Sequence, residues 1–189
     1  MGSEMCIRDS NKGYFPSKGI DLQGSYSLYT DNLTQYKGHA PFSALTASWA
    51  SAFSVTDRFA LIPSLYGRIL IGKDIPYPYL NAIGGDNFGH YLPQQLPFAG
   101  ITNLERVDNA VIIAGLKVRQ RIGGKNYVTL TGNVALREDN FFDILSGKPV
   151  WGGSLGYGYD SLFGPLEASF GYSSRAHDVG FYVNLGYVF

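Results

Sequence analysis

Apolar residues recur at every second position through eight stretches of this chain, and this period of two is the feature that most constrains its fold. Successive side chains of a β-strand point to opposite faces, so each stretch predicts a strand with one apolar face. In the last stretch, Val179, Phe181, Val183 and Leu185 share a face. No apolar run reaches the roughly 18 residues that a membrane-spanning helix requires. The sequence therefore predicts an all-β fold.

The predicted strands are long, and most contain about 10–15 residues by this pattern. Strands of soluble proteins average about 5–6 residues, whereas a tilted strand needs about 9–11 residues to cross a bilayer. The alternative is a soluble β-sandwich, whose wet face normally carries many Lys and Glu residues. Here the second face carries mainly Gly, Ser, Thr and Asn, and only 16% of all residues are charged. The pattern therefore favours an antiparallel transmembrane β-barrel portion of eight strands.

The connections between the predicted strands alternate in length. Residues 31–41, 73–106 and 139–148 form long connections, and residues 56–57, 123–125 and 161–164 form short ones. Barrels of the bacterial outer membrane have short periplasmic turns and longer extracellular loops. If the last strand ends at the periplasm, every short turn lies on the periplasmic side, as this architecture requires.

Composition narrows the possible functions. Lys and Arg together equal Asp and Glu at 15 each, so no basic field attracts nucleic acid, and no nucleic-acid partner is expected. Cys6 is the single cysteine, and no Cys/His cluster has metal-binding spacing, so neither a metal site nor a cofactor is expected. Aromatic residues reach 15%, which suits rings at both membrane–water boundaries. The predicted members of these aromatic rings are Trp151, Tyr159, Tyr172 and Tyr187.

The N-terminal segment does not continue the strand pattern. Residues 1–12 are expected to be a non-native or disordered lead, and residues 13–189 to be the outer-membrane barrel region. The first ten residues lack the apolar centre and cleavage site of a secretory signal. Since an outer-membrane protein must be exported, we expect the chain to be a fragment. N-terminal strands and an upstream domain of the same protein would then be missing from it.

The last ten residues, GFYVNLGYVF, resemble the C-terminal recognition signal of outer-membrane barrels. That signal is a run of alternating apolar residues that ends in a terminal aromatic residue. An apolar edge strand of this kind is available for pairing with the barrel-insertion machinery. The predicted partners are therefore this machinery and the lipid of the outer membrane of a Gram-negative bacterium. The predicted insertion signal comprises Gly180, Phe181, Val183, Leu185, Tyr187 and Phe189.

Three further motifs, taken in order, resemble the bacterial surface antigen superfamily of 16-stranded outer-membrane barrels. They are Phe15-Pro16-Ser17-Lys18-Gly19, the pair Gly84-Gly85, and Ser161-Leu162-Phe163-Gly164-Pro165-Leu166. The resemblance implies that the eight strands are strands nine to sixteen, the C-terminal half of the barrel. It also implies that the loop carrying the glycine pair folds into the lumen. Members of this superfamily include assembly insertases, secretion translocators and barrels fused to patatin-like lipases.

The chain departs from the superfamily pattern at the tip of the long loop. An arginine is expected after the glycine pair, whereas this sequence reads Gly89, His90 and Tyr91. The following residues, 92–98, look most like the barrels of patatin-like phospholipase fusion proteins. The resemblance thus implies a lipase domain upstream, and no enzyme activity in this region itself.

The long loop is expected to fold inward, with His90 and Tyr91 meeting the inner wall. A histidine can form hydrogen bonds but cannot reproduce a bidentate arginine pair, so weaker and pH-sensitive docking is expected. The predicted contacts on the wall are Lys117, Arg119 or Thr131. Gly84, Gly85, Gly89, His90 and Tyr91 together form the predicted lumen-loop motif.

Two patterns resemble catalytic sites but are interpreted otherwise. Gly152-Gly153-Ser154-Leu155-Gly156 matches G-x-S-x-G, but a nucleophile elbow requires a strand, a strained turn and a helix. Here the match lies inside an alternating strand, so Ser154 is not predicted to be a nucleophile. His177-Asp178 could orient an imidazole as in a catalytic triad. Adjacency in a predicted loop is weak support, so no catalytic residue is predicted.

Basic residues recur on predicted inner faces, and two interpretations stay open. A cationic lumen could attract anions or a plug segment. Alternatively, the charges pair with Asp21, Glu138, Glu167 and Asp160. The basic residues concerned are Lys117, Arg119 and Arg121, with Arg68 and Arg137 on neighbouring walls.

The predicted function is an outer-membrane anchor or translocator region of an exported protein. The alternative is a complete small eight-stranded barrel that acts as an adhesin or a porin-like protein. The two alternatives differ in how the sheet ends. The C-terminal half of a larger barrel should be an open sheet, whereas a complete small barrel requires a backbone ladder between its first and last strands.

Deleting Phe189, or replacing it with Asp, should lower the amount of protein in the outer membrane because the insertion signal loses its terminal aromatic ring. Immunoblots of membrane fractions measure this amount. Phe189→Tyr keeps the ring and serves as the control. Undiminished levels of the deletion variant would show that the terminal residue is not part of the signal.

Overall fold

The computed structural model describes residues 2–10, 18–30, 41–73, 75–85, 94–101, 104–139, 144, 147, 149–162 and 164–185, with the backbone alone for 2–10, 106 and 184. Nine long strands form one antiparallel sheet: β1 Gly2–Ser10, β2 Gly19–Tyr29, β3 Phe42–Thr56, β4 Phe59–Ile71, β8 Ala110–Gly123, β9 Asn126–Glu138, β10 Val150–Ser161, β11 Gly164–Ser173 and β12 Val179–Leu185. Three two-residue strands form a second sheet: β5 Ala82–Ile83, β6 Gln95–Leu96 and β7 Glu105–Arg106. Tyr77–Tyr79 form a 3-10 turn. None of the helical segments in the parts of the chain just given has the length and hydropathy of a membrane span.

All eight predicted strands are present, and each pairs with its neighbour in chain order. The order β1-β2-β3-β4-β8-β9-β10-β11-β12 is linear. Within the described residues, no backbone ladder joins the last strand to either of the first two. The sheet is therefore open, as expected for a half-barrel.

The N-terminal segment departs from expectation. Gly2–Ser10 form β1, which pairs with β2 from Gly2 opposite Ser27 to Ser10 opposite Gly19. Residues 2–10 are therefore a strand and not a disordered lead, and the expectation that the lead is non-native stays a prediction. The physical reason is that the edge of β2 presents unpaired backbone groups, which any extended segment can satisfy regardless of its side chains. The edge strands are thus β1 and β12, and β2 is an internal strand.

The two faces of the sheet differ as the period of two predicts. One face of the sheet, which we call the convex face, is apolar and exposed; Leu130 at its middle is 56% exposed. Trp151, Tyr159 and Tyr172 are exposed on the same face near strand ends, and Tyr187 lies outside the described residues. The inner face carries small polar residues, among them Thr131 and Ser169, which are buried. An apolar outside and a polar inside are typical of outer-membrane barrels.

The short turns follow local backbone chemistry. Asp57 and Arg58 join β3 to β4 in a two-residue turn. Gly124 has φ 51°, in the left-handed region that favours glycine, and it opens the tight turn from β8 to β9. The long connections 30–41, 72–109 and 139–149 all lie at the opposite end of the strands. The alternation of long and short connections is therefore confirmed.

Leu130→Arg should lower the free energy of unfolding in lipid vesicles by about 2–4 kcal/mol if Leu130 faces lipid at the midplane, because a charge there loses its hydration. Urea unfolding followed by fluorescence measures this. Leu162→Arg is the matched control, since Leu162 is 89% exposed in the turn between β10 and β11. Equal losses in the two variants would show that the convex face is not a lipid-facing band.

Candidate functional site: the loop inside the sheet

We call the connection from β4 to β8, residues 72–109, the lumen loop; its described residues pack against the inner wall, on the face of the sheet opposite the exposed one, which we call the concave face. Its three short strands pair with one another: β5 runs parallel to β6 and antiparallel to β7. We call residues 75–85 the outgoing leg of the loop. Pro76 precedes the 3-10 turn and Pro78 lies within it, so fixed φ angles stiffen this leg. The described parts of the loop thus fold inward, as predicted.

The lumen loop and the inner wall form one cluster of buried apolar residues between them. From the loop, Ile83, Leu96, Phe98, Ile101 and Val107 are buried against the inner wall. Each such side chain contributes about 1.5–3 kcal/mol by leaving water. Ejecting the loop would therefore cost several such contributions at once. The wall residues that receive them are Val111, Ile113, Ala135 and Val150, with Tyr66 packed alongside.

A second cluster holds the start of the loop. The ring of Phe42 stacks on that of Tyr29 with centroids 4.7 Å apart. The ring of Tyr79, from the 3-10 turn, meets Phe42 edge-on at 5.1 Å. Ala44 and Leu70 complete the buried part of this cluster. The outgoing leg is therefore packed where β2, β3 and β4 end at the long-loop side.

Arg68 is the most unusual residue of the inner wall, since it is charged and only 2% exposed. Its Nη1 donates to Asn81 Oδ1 at 2.6 Å and to the Tyr79 carbonyl oxygen at 3.3 Å. The Asn81 amide donates in turn to the carbonyl oxygens of Asp108 and Asn109, at 2.8 and 3.0 Å. Among the described residues, no carboxylate pairs with Arg68. Hydrogen bonds to the loop therefore replace the water that burial of this charge removes.

The same network continues to β9. Arg137 Nη1 pairs with Asp108 Oδ2 at 2.9 Å. Arg68, Val111 and Arg137 lie side by side on β4, β8 and β9, because Val111 is opposite both arginines in the strand register. Asn81 and Asp108 bridge this row from the loop side. We call residues 94–101 and 104–109 the return leg of the lumen loop. Arg68 thus binds the outgoing leg of the lumen loop through Asn81, and Arg137 binds the return leg through Asp108.

Glycines line the part of the wall that the return leg contacts. A Cβ on Gly152 of β10 would overlap the Ala99 carbonyl oxygen and lie 2.7 Å from the Phe98 ring. A Cβ on Gly171 of β11 would lie 2.8 Å from the Cα of Gly100, whose φ is 85°. The turn at 98–100 therefore contacts the wall backbone directly, which side chains at these positions would prevent.

A scan against protein-family models matches the OMP85 superfamily over residues 3–189. This match covers nearly the whole chain and agrees with the open antiparallel sheet and its inward loop. The chain belongs to the OMP85 superfamily. A search of curated proteins finds no match. Membership places the chain in the bacterial outer membrane, as a barrel region of the translocator type.

In this OMP85 chain, the structure places part of the predicted lumen-loop motif. Gly84 and Gly85 are buried, with φ 133° and 72°, values that favour glycine. Their amides donate to the carbonyl oxygens of Leu96 and Ile101, at 3.1 and 3.0 Å. The glycine pair thus joins the two legs of the loop. Gly89, His90 and Tyr91 lie outside the described residues.

The predicted insertion signal is described in part. Phe181, Val183 and Leu185 are exposed on the convex face of β12, and Gly180 lies on the other face. β12 pairs with β11 alone, so its outer edge carries no partner strand among the described residues. Its role in insertion stays a prediction. Tyr187 and Phe189 lie outside the described residues.

The basic residues of the OMP85 inner wall divide into two groups. Arg68 and Arg137 hold the lumen loop, which agrees with the plug interpretation. Arg137 pairs with Asp108 from the loop, a partner that sequence reasoning had not considered. Lower on β8, Lys117, Arg119 and Arg121 are half-buried on the same face. Arg119 Nε donates to Thr129 Oγ1 at 3.4 Å.

The two motifs that resemble catalytic sites have other surroundings. Ser154 lies within the ladder of β10, opposite Thr131 and Gly171, and the chain continues as a strand without an elbow. Asp178 Oδ1 accepts a hydrogen bond from the Val179 amide at 2.7 Å and so caps the start of β12. In the described part of the chain, no three His, Cys, Asp or Glu residues are grouped to hold a metal ion.

Asn81→Ala should lower the free energy of unfolding in lipid vesicles by about 2–4 kcal/mol, because it leaves a buried arginine short of an acceptor and removes the donor to the Asp108 carbonyl oxygen. Urea unfolding measures the loss. Gln94→Ala is the control, since Gln94 lies in the same loop and its amide makes one exposed bond to Pro78. A loss no larger than that of the control would show that Asn81 does not anchor the loop.

Proposed function

We propose that this chain is the C-terminal half of a 16-stranded OMP85 barrel that anchors and displays an exported protein. The observation that carries the proposal is the open sheet with an apolar convex face and a loop packed on its concave face. The eight long strands β2, β3, β4 and β8 to β12 supply strands nine to sixteen, and β1 takes the place of strand eight. The displayed protein is proposed to be a patatin-like phospholipase.

The open edges support the half-barrel. In hydrocarbon, each unpaired backbone N–H or C=O costs several kcal/mol, on the order of a lost hydrogen bond in an apolar solvent. β12 and β1 each present one such edge. Further strands of the same protein would satisfy both edges and close the wall. The linear order gives no support to a complete eight-stranded barrel.

The lipase proposal rests on residues 92–98, which resemble the barrels of patatin-like fusion proteins. Ser154 lies inside a strand ladder, and its G-x-S-x-G match has no elbow. The proposed hydrolytic chemistry therefore belongs to an upstream domain, and this region supplies the anchor.

Topology tests the anchoring role. A short epitope inserted at residue 176, in the turn between β11 and β12, should be labelled by antibody on intact cells. The same epitope inserted after Gly124, in a short turn, should be labelled only after the outer membrane is permeabilised. Labelling of the Gly124 insertion on intact cells would contradict the proposed orientation.

A serine-reactive fluorophosphonate probe tests the lipase proposal on the full-length protein. Labelling should survive Ser154→Ala, because the nucleophile lies upstream. Absence of labelling in the parent protein would refute the lipase fusion and favour a role in secretion or assembly. Loss of labelling in Ser154→Ala, with the barrel still folded, would move the chemistry into this region.

A further inference from the structure

The lumen loop contacts two distant parts of the sheet. Its outgoing leg is bound to β4 through Arg68 and Asn81. Its return leg contacts β11 through Gly100, next to Gly171 and the Tyr172 backbone. In the order of the sheet, β8, β9 and β10 separate β4 from β11. The loop therefore crosses the concave face from one part of the wall to another.

An ion pair extends this crossing to the terminal hairpin. Glu105 of β7 pairs with Arg175, which lies in the turn between β11 and β12. The two side chains are 30% and 27% exposed. An ion pair of this exposure contributes little to the global free energy of unfolding. It joins two elements, however, that share no strand pairing with each other.

We propose that the lumen loop is a strut that couples the β11–β12 hairpin to β4. The hairpin keeps its position relative to β4 only while the return leg is packed against Gly152 and Gly171. The position of β11 relative to β4 can change with the twist of the three strands between them, since the twist between neighbouring strands is not fixed at one value. A loop bound at both ends across the concave face limits that change.

The contact between the return leg and β10 can be tested by adding a methyl group at one glycine that touches the leg and, as a control, at one that does not. Gly152 and Gly156 lie on the same face of β10. A methyl group at Gly152 would overlap the loop backbone at Ala99, so Gly152→Ala should displace the return leg. At Gly156 the nearest atom to such a methyl group is Ser169 Cβ at 3.5 Å, an ordinary contact, so Gly156→Ala is the control.

The experiment measures the distance between β4 and β12 by double electron–electron resonance. Spin labels at Leu65→Cys and Val179→Cys both lie on the exposed convex face, and Cys6→Ser removes the background thiol. Measurement in native outer-membrane vesicles keeps the barrel complete. Gly152→Ala should broaden the distance distribution, and Gly156→Ala should leave it unchanged. Unchanged distributions in both variants would overturn the proposal.

Exchange of the two charges tests the Glu105–Arg175 ion pair. This experiment also tests the strut proposal if Gly152→Ala fails to fold. Glu105→Arg should broaden the same distribution, and Glu105→Arg with Arg175→Glu should narrow it again. The rate of protease cleavage in the turn at 174–178 should rise about two- to fivefold in the single variant, the range expected for a half-exposed ion pair. No broadening in the single variant, or no recovery in the double variant, would overturn the proposal.

Discussion

The backbone hydrogen bond between strands is the interaction on which everything else in this structure depends. In the hydrocarbon of a bilayer no water can satisfy an N–H or C=O group, so each strand must find its partners in its neighbours. The ladders from β1 to β12 meet this demand for every internal strand. They also explain why Gly2–Ser10, a segment without an alternating pattern, pairs along β2. The need for a hydrogen-bonding partner comes from the backbone of each strand, and the side chains determine which face of the strand meets lipid.

The apolar core of this protein lies on the concave side of the sheet. The convex face leaves its large apolar side chains exposed, because lipid is their solvent. The two clusters of buried apolar side chains lie instead between the lumen loop and the wall, with Ile83, Phe98 and Val111 fully buried. The loop is therefore a structural element of the barrel wall. Its packing resembles that of a soluble protein, in which matched shapes and buried area hold the parts together.

Polar contacts then decide where this packed loop sits. Apolar burial has no direction, whereas hydrogen bonds and ion pairs require particular partners. Arg68 and Arg137 lie in one row of the wall, and Asn81 and Asp108 reach them from the two legs of the loop. Glycines on β10 and β11 permit direct contact between the backbones of loop and wall. Burying Arg68 is acceptable only because its hydrogen bonds are made, and so it fixes one position of the loop.

The sequence by itself determined the eight long strands, their inward and outward faces, the alternation of short and long connections, and the inward fold of the long loop. The strands, faces and connections follow from local chemistry, a period of two and turn glycines, and the inward fold follows from the resemblance of the loop to the superfamily. Only the tertiary structure decided that Asn81 meets Arg68, that Asp108 meets Arg137, and that Gly100 rests on Gly171. Those partners lie far apart in the chain and share no sequence spacing. Their meeting depends on the register of separate strands and on the path of the loop, which no local pattern encodes.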